Sequence, residues 1–106
     1  KAYGATAQVT YSRNYPVVVN HAEQTKFAAD VARQVVGGDK VNDKLTPIMG
    51  GEDFAFMLEA RPGAFIFLGT GDGEMCHHPG YTFNDDVIPH GVSYWARLVE
   101  TSMPAA

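Results

Sequence analysis

The chain has 106 residues, of which 45% are hydrophobic, and this is enough for one domain with a modest core rather than a disordered tail. Eight Lys and Arg residues against twelve Asp and Glu residues give a net charge of -4. No basic run or stripe is available to neutralise a phosphate backbone, which argues against nucleic acid as a partner.

The only cysteine, Cys76, cannot form an internal disulfide, so we expect a protein of a reducing compartment, the cytoplasm. No apolar stretch approaches the roughly 20 residues that span a bilayer, and no signal peptide is recognisable, so we expect no membrane association. The sequence begins at Lys1 inside a strand-like run, which suggests a fragment of a longer protein.

Residues 2–11 alternate between apolar and polar side chains, a period that predicts a half-buried strand. One face carries Tyr3, Ala5, Ala7, Val9 and Tyr11, and the other Thr6, Gln8, Thr10 and Ser12. Residues 13–16 break the pattern, and 17–19 read as a short extended segment. We expect a domain junction here.

Two helices follow this junction. Asn20 is the predicted N-cap of the first, with Glu23 three residues later as in a capping box, and Gly37 with Gly38 ends it. Its predicted apolar face is Ala28, Val31, Ala32, Val35 and Val36. The second helix is predicted to carry Glu52 and Asp53 in its first turn, to use Phe54, Met57 and Leu58 as its apolar face, and to stop at residues 61–63.

The continuous apolar run 64–68 predicts a strand buried on both faces, and the glycine-rich residues 69–86 predict a long functional loop. Asp85 and Asp86 can cap a last helix with Pro89 in its first turn. Its predicted apolar face is Ile88, Val92, Trp95 and Val99. Because strand and helix signals alternate from residue 17 onward, the α/β class is favoured.

The chemistry-bearing residues concentrate in the loop segment 76–85, which begins Cys76-His77-His78. Imidazole is a frequent metal ligand, but adjacent histidines tend to point in different directions and a catalytic zinc needs about three protein ligands. From these residues alone, His77 or His78 as a ligand competes with surface and loop-packing histidines.

Four segments taken together, residues 15–20, 49–54, 62–69 and 77–85, resemble the C-terminal signature of a known family. It is the hippurate hydrolase, aminoacylase and indoleacetyl-amino-acid hydrolase family of metallopeptidase-like enzymes. The segments occur in the family's order and at about its spacing, and they cover nearly the whole chain. The combination is far more specific than any one segment.

This resemblance implies an α/β, two-metal aminopeptidase-like catalytic domain interrupted by a smaller α/β domain for dimerisation and closure over substrate. Residues 1–18 would end the smaller domain, and residues 19–106 would form the C-terminal part of the catalytic domain. The resemblance assigns His77 as the last metal ligand and gives His78 a variable position. The two divalent ions would be zinc, or manganese, cobalt or nickel.

The family's general base and other ligands lie upstream of the resembling segments, so we expect no catalytic residue in this chain. The expected reaction of the complete enzyme is hydrolysis of an N-acyl amino acid such as hippurate. Gly50 and Gly51 are candidates for binding the substrate carboxylate through backbone amides, with a simple tight turn as the equal alternative.

Other polar residues have structural interpretations. Helix capping explains Glu52 and Asp53 better than an acid/base pair does, and Asn84 and Asp85 are expected to form the loop and cap, or to support His77. His21 and His90 stand near predicted helix starts and are expected to be surface or capping residues.

Three alternatives remain. A phosphate site at residues 69–73 lacks a following lysine, and a Cys76-His nucleophile lacks suitable geometry. A non-catalytic folding or interaction module is the rival of a different class. We expect the 106-residue chain to be inactive on acyl amino acids and to form a homo-oligomer by self-association or strand exchange.

Overall fold

The computed structural model describes residues 3–104 and contains three α-helices and two 3₁₀ turns. In chain order, helix α1 is Ala22–Val36, a 3₁₀ turn is Gly38–Lys40, helix α2 is Phe54–Ala60, a second 3₁₀ turn is Asp85–Val87, and helix α3 is Ile88–Ser102. Helices α1 and α3 pack against each other. The three predicted helices are therefore present, close to their predicted bounds.

Helix α1 begins two residues later than the predicted cap. His21 is its N-cap residue, without a side-chain cap, and the Thr25 hydroxyl donates to the His21 carbonyl at 2.8 Å. Gly37 ends the helix with φ 88°, where its N–H donates to the Arg33 carbonyl at 3.0 Å, as the glycine signal predicts. The prediction of Asn20 as N-cap is wrong, because its side chain binds the backbone of Phe65 instead.

Asn20 ties the start of α1 to a segment more than forty residues away. Its Nδ2 donates to the Phe65 carbonyl and its Oδ1 accepts from the Phe65 N–H, both at 2.8 Å. Next to it, the His21 N–H donates to the Gly63 carbonyl at 3.1 Å, and the Gly63 N–H donates to the His21 Nδ1 at 3.2 Å. A carboxamide presents the same donor and acceptor as a peptide group, so Asn20 takes the place of a neighbouring strand.

The apolar face of helix α2 differs from the prediction at one position. Ala55 and Leu58 are buried, whereas Met57 is 60% exposed. Leu58 lies against Gly63, where an added Cβ would meet its Cδ2 at 3.2 Å. Gly63 therefore permits the close approach of the extended segment to α2.

Helix α3 buries a different face from the predicted one. Val87 and Tyr94 are buried, and Leu68 lies near Gly91, where an added Cβ would be in ordinary van der Waals contact with it at 3.5 Å. Burial raises the pKa of the Tyr94 phenol. The predicted face is exposed, with Ile88, Val92, Trp95 and Val99 between 47% and 63% accessible.

The predicted strands are not formed. Residues 5–19 and 64–68 carry no regular secondary structure, and the structure assigns no strand within residues 3–104; Ala2 lies outside the described residues. Phe65 uses both of its backbone groups on the Asn20 side chain, and the one backbone bond to Gly63 cannot make a ladder. The α/β class is thus not confirmed, and the prediction that 64–68 is buried on both faces is wrong, since Phe67 is 64% exposed.

The core is small for the chain's mass. The buried hydrophobic residues are Ala28, Val31, Ala55, Leu58, Val87 and Tyr94. The accessible surface is 9410 Å², against roughly 5,800 Å² expected for a compact monomer of this mass. The radius of gyration is 19.3 Å, against about 13 Å for a compact domain of this length. Much apolar surface is therefore exposed.

Candidate metal-binding loop and helix start

The loop between α2 and α3 carries the histidine pair in a series of turns. The His78 N–H donates to the Met75 carbonyl and the Tyr81 N–H donates to the His78 carbonyl, each at 3.0 Å. All residues from Gly71 to Gly80 are exposed. These turns place both imidazoles on the surface of the molecule.

His77 occupies an unusual backbone conformation. Its φ is 75°, and it is the non-glycine residue with positive φ within residues 3–104. The left-handed region costs a residue with a Cβ on the order of 1 kcal/mol, so surrounding turns must hold it there.

His78 is engaged within the loop. Its Nδ1 accepts a hydrogen bond from the Gly80 N–H at 3.1 Å, and the Glu74 Oε2 lies 3.5 Å from the same nitrogen. Accepting from Gly80 requires an unprotonated Nδ1, so an ion pair with Glu74 and this hydrogen bond exclude each other. An added Cβ at Gly80 would meet the His78 ring at 3.3 Å. His78 acts here as a loop-packing residue.

The described residues do not supply a complete metal site. No group of three or more His, Cys, Asp or Glu side chains within residues 3–104 is close enough to hold a metal ion. Since a catalytic zinc takes about three protein ligands, the exposed imidazole of His77 fits such an ion as one ligand only. His90 is exposed on α3, as expected for a surface histidine. His21 is the N-cap residue of α1 but makes no side-chain cap, because its Nδ1 accepts from the Gly63 N–H.

Asn84 joins the loop to the start of α3. Its Nδ2 donates to the Thr70 carbonyl and its Oδ1 accepts from the Asp86 N–H, both at 3.0 Å. The interpretation of Asn84 as a loop and cap former is confirmed. Asp85 begins the 3₁₀ turn that leads into the helix, and the N-cap residue of α3 is Val87.

The residues Gly50 and Gly51 lie just before helix α2. The Gly50 N–H donates to the Ile48 carbonyl at 3.1 Å, and an added Cβ on Gly51 would meet the Tyr15 ring at 3.0 Å. Tyr15 in turn makes an edge contact with Phe56, with ring centroids 6.1 Å apart. Sequence reasoning missed this contact, because no local signal relates residue 15 to residue 51.

Glu52 is a helix-start residue. Its Oε1 accepts from the Phe54 N–H at 3.2 Å, so the capping interpretation is confirmed for Glu52. Asp53 is the N-cap residue by position but makes no side-chain cap. The capping interpretation is therefore not confirmed for Asp53.

Two shallow grooves lie beside α2, away from the histidine loop. One, of about 270 Å³, is lined by Val17, Val19, Asn20, His21, Ala55, Leu58 and Glu59, and the other, of about 380 Å³, is lined by residues 11–17 and Phe56. Neither includes His77, Gly50 or Gly51. These grooves therefore do not join the candidate residues into one site.

Comparison with known families gives a match over most of the chain. Peptidase family M20/M25/M40 matches residues 5–101. The chain belongs to this family. Its members are generally metal-dependent, and membership implies a peptidase-like catalytic domain.

Several curated relatives of this M20/M25/M40 chain have hydrolase names. It is 34% identical to the hippurate hydrolase of Campylobacter jejuni over 78% of the chain and 22% of that protein. It is 36% identical to the putative amidohydrolase YhaA of Bacillus subtilis over 81% of the chain and 23% of YhaA. With the N-acetylcysteine deacetylase of the same bacterium the identity is 33%, over 91% of the chain and 24% of the relative.

The chain thus spans about a quarter of the length of these relatives. No solved structure matches it. Within residues 3–104, no helix of this M20/M25/M40 chain combines the length and hydrophobicity needed to cross a bilayer.

Proposed function

We propose that the chain is part of a metal-dependent amidohydrolase that cleaves N-acyl amino acids of the hippurate type into a carboxylic acid and an amino acid. The observation that supports this proposal is the family match over residues 5–101, together with relatives named hippurate hydrolase and N-acetylcysteine deacetylase. The N-acyl amino acid is the proposed small-molecule partner.

His77 is the proposed metal ligand of this chain. Its side chain is exposed in the loop, whereas the Nδ1 of the neighbouring His78 already accepts from Gly80. The positive φ of His77 gives the imidazole a direction that a right-handed turn would not. The other ligands, and the general base, would come from outside the described residues.

Two divalent ions, zinc or alternatively manganese, cobalt or nickel, would supply a water of lowered pKa and polarise the scissile carbonyl. What this chain adds is one imidazole nitrogen in a fixed loop position. A tautomer with Nδ1 or Nε2 unprotonated serves this role, and His77 must be neutral to bind.

Gly50 and Gly51 are the proposed contacts to the substrate carboxylate. Backbone N–H groups before a helix suit an anion, and of the two, Gly50 already donates to Ile48. The Gly51 N–H is therefore the better placed donor. The Tyr15 ring lies against Gly51, where an added Cβ would meet it at 3.0 Å, so a side chain at residue 51 would displace the ring.

The proposed domain arrangement follows the family resemblance. Residues 1–18 would end a dimerisation domain, and residues 19–106 would belong to an α/β catalytic domain. The change from residues 5–19, which carry no regular secondary structure, to helix α1, together with the ties from Asn20 to Phe65, supports a boundary near this point.

A chimeric enzyme tests the proposal. The segment of Campylobacter jejuni hippurate hydrolase that matches this chain would be replaced by the corresponding residues of this chain, and hydrolysis of hippurate would be measured with zinc or manganese present. We expect activity in the chimera, loss of about 100-fold or more on His77→Ala, in line with removing a metal ligand, and retention on the matched control His78→Ala.

Metal content and circular dichroism of each chimera show whether a loss of activity results from a loss of metal or from a loss of folding. A folded chimera that binds metal equally well with and without His77 would contradict the ligand assignment. The 106-residue chain alone is expected to be inactive on hippurate or N-acetyl amino acids; hydrolysis by the purified chain would overturn the proposal that its active site is incomplete, and inactivity of every folded chimera would favour a non-catalytic module.

A further inference from the structure

The loop between α2 and α3 contains an aspartate with a glycine on each side. Asp72 is exposed, and so are Gly71 and Gly73. Gly71 has φ 89°, and a Cβ added at Gly73 would meet no atom within 4 Å. Because glycine has no Cβ, the backbone on both sides of Asp72 can rotate more freely than it could between other residues.

The side chain of Asp72 and the backbone amide that follows it are both unrestrained. Within residues 3–104, the Asp72 carboxylate takes part in no hydrogen bond or ion pair, and the Gly73 N–H donates to no acceptor. The nearest backbone groups that are held are the Thr70 carbonyl, which accepts from Asn84, and the carbonyl of Met75 in the following turn. The carboxyl carbon of Asp72 and the nitrogen of Gly73 are therefore free to approach each other.

This combination of sequence and exposure occurs once in the chain. Asp72-Gly73 is the only Asp-Gly pair in the sequence, and the sequence contains no Asn-Gly pair. Asp39 is exposed as well, but the N–H of the following Lys40 donates to the Gly37 carbonyl at 3.3 Å. In addition, the side chain of Lys40 limits rotation of the backbone there, whereas Gly73 has none.

We propose that Asp72 is a site of spontaneous isomerisation to isoaspartate. The Gly73 nitrogen attacks the Asp72 Cγ and forms the N–Cγ bond of a five-membered succinimide, while the carboxyl hydroxyl leaves with the amide proton as water. A second water then opens the ring. Cleavage between the Gly73 nitrogen and the Asp72 carbonyl carbon gives isoaspartate, and cleavage of the N–Cγ bond returns aspartate. One water is released and one is consumed, so the reaction needs no other reactant.

Isoaspartate lengthens the backbone of the loop. The main chain then runs through the Cβ and Cγ of residue 72, which adds one backbone atom, or about 1.5 Å. The added atom lies between Thr70, which Asn84 binds, and the turn that carries His77. We expect this turn to shift. The effect of the shift on metal binding rests on the proposed function, because it requires His77 to be a ligand, whereas the isomerisation itself does not.

Ageing of the purified chain tests the proposal. The chain is kept for several weeks in neutral buffer, isoaspartate is labelled by an isoaspartyl methyltransferase with a radioactive methyl donor, and peptide mapping locates the label. We expect label at Asp72 and at least about tenfold less at Asp39, a difference of about 1.4 kcal/mol in the barrier. Equal label at the two residues, or none at Asp72, would overturn the proposal. The assay uses neither metal nor substrate, so such a result would leave the proposed amidohydrolase function standing.

Two variants test the route through the succinimide. Asp72→Glu would need a six-membered ring, and we expect its label to fall to background. Gly73→Ala places a Cβ next to the attacking nitrogen in space that the fold leaves open, and we expect labelling about tenfold slower. Gly69→Ala also adds a Cβ in open space but leaves the reacting groups unchanged, so it is the matched control. Equal rates in Gly73→Ala and Gly69→Ala would contradict attack by the Gly73 nitrogen.

A free peptide of residues 69–75, acetylated and amidated at its ends, tests whether the fold leaves Asp72 unprotected. We expect the rates of isomerisation in the peptide and in the chain to differ by less than about threefold, or about 0.7 kcal/mol in the barrier. A rate in the chain more than about tenfold below that of the peptide would mean that the loop holds these groups apart in solution, and would overturn the proposal.

Discussion

Helices α1 and α3 are both fifteen residues long and amphipathic, yet they use their apolar faces in opposite ways. Helix α1 buries the face that its sequence predicts, with Val31 fully buried and Ala28 6% exposed. Helix α3 leaves its most apolar face exposed and buries Tyr94 on another side. The difference shows that periodicity identifies the face suited to burial, whereas the neighbouring elements decide which face is covered.

The two helices also begin in comparable ways. Each is preceded by an asparagine whose carboxamide binds the irregular segment between α2 and α3: Asn20 binds Phe65, and Asn84 binds Thr70. Asn20 makes both of its bonds to one residue, whereas Asn84 divides its bonds between Thr70 and Asp86. Helix α1 is thus tied to a distant segment, and α3 mainly to its own first turn.

The largest expected effect on stability distinguishes the buried apolar face of α1 from the exposed apolar face of α3. Val31→Asp would place a charge where no solvent reaches, and we expect a loss of roughly 3 kcal/mol or more, enough to unfold the chain. Val92→Asp, at a position that is 63% exposed, should change stability by less than about 0.5 kcal/mol. Urea unfolding followed by circular dichroism measures both. Equal destabilisation would mean that the α3 face is buried in solution.

Asn20 and Asn84 should also differ in how much they stabilise the chain, but by less than the two apolar faces do. Asn20→Ala leaves the N–H and C=O of Phe65 without partners beside the Phe54 and Phe67 rings, and we expect a cost of about 1–3 kcal/mol. Asn84→Ala removes a cap and a loop bond that water can replace, at a cost of about 1 kcal/mol. Hydrogen exchange of the Phe65 amide should rise only in the Asn20 variant. A greater loss on Asn84→Ala would reverse the comparison.

The adjacent histidines His77 and His78, in the loop that Asn84 joins to α3, allow a comparison of the stabilities of two variants. His77→Gly removes a Cβ from a residue with φ 75°, and we expect a gain of about 0.5 kcal/mol after the entropy cost of glycine. His78→Gly loses the bond from Gly80 and should cost about 1 kcal/mol. Thermal unfolding of the two variants measures the difference. A loss on His77→Gly would show that its conformation is not strained in solution.

The elements that sequence predicts well are those with local causes. Helix α1 ends at Gly37 because a left-handed residue is needed there, and α2 stops before Pro62, as the residues themselves require. The capping role of Glu52 is local too, since its carboxylate reaches the N–H of a residue two positions ahead. Such interactions can be read from spacing alone.

The features that sequence missed depend on distant partners. Asn20 has the composition of an N-cap, but Phe65, 45 residues later, takes its carboxamide. Residues 64–68 have the composition of a buried strand, but a strand needs a neighbouring backbone, and here a side chain replaces it. The assignment of His77 rests on family resemblance, because within residues 3–104 no group of three or more ligand side chains identifies it by geometry.

The smallest expected effect concerns an ion pair network on α1. Asp30 lies 2.7 Å from the Lys26 ammonium and 2.9 Å from the Arg33 guanidinium, which also reaches Asp43 at 2.6 Å. The hydrogen bond from Lys26, followed by the pairing with Arg33, lowers the pKa of Asp30 below its ordinary 3.8. The network links α1 to the segment after it, whereas the pair of Arg97 and Glu100 stays within α3.

A lowered pKa in the folded state fixes the sign of the pH dependence. The unfolded chain binds the Asp30 proton more readily, so the contribution of Asp30 to stability is present above about pH 4 and disappears as the pH falls through the folded pKa. Asp30→Asn should lower the unfolding temperature by about 2 °C at pH 7 and by less at pH 3, because exposed pairs contribute little and are screened by salt. Glu100→Gln on α3 is the control. A larger effect of Glu100→Gln at pH 7 would mean that the pairs of Asp30 stabilise α1 less than the pair of Arg97 and Glu100 stabilises α3.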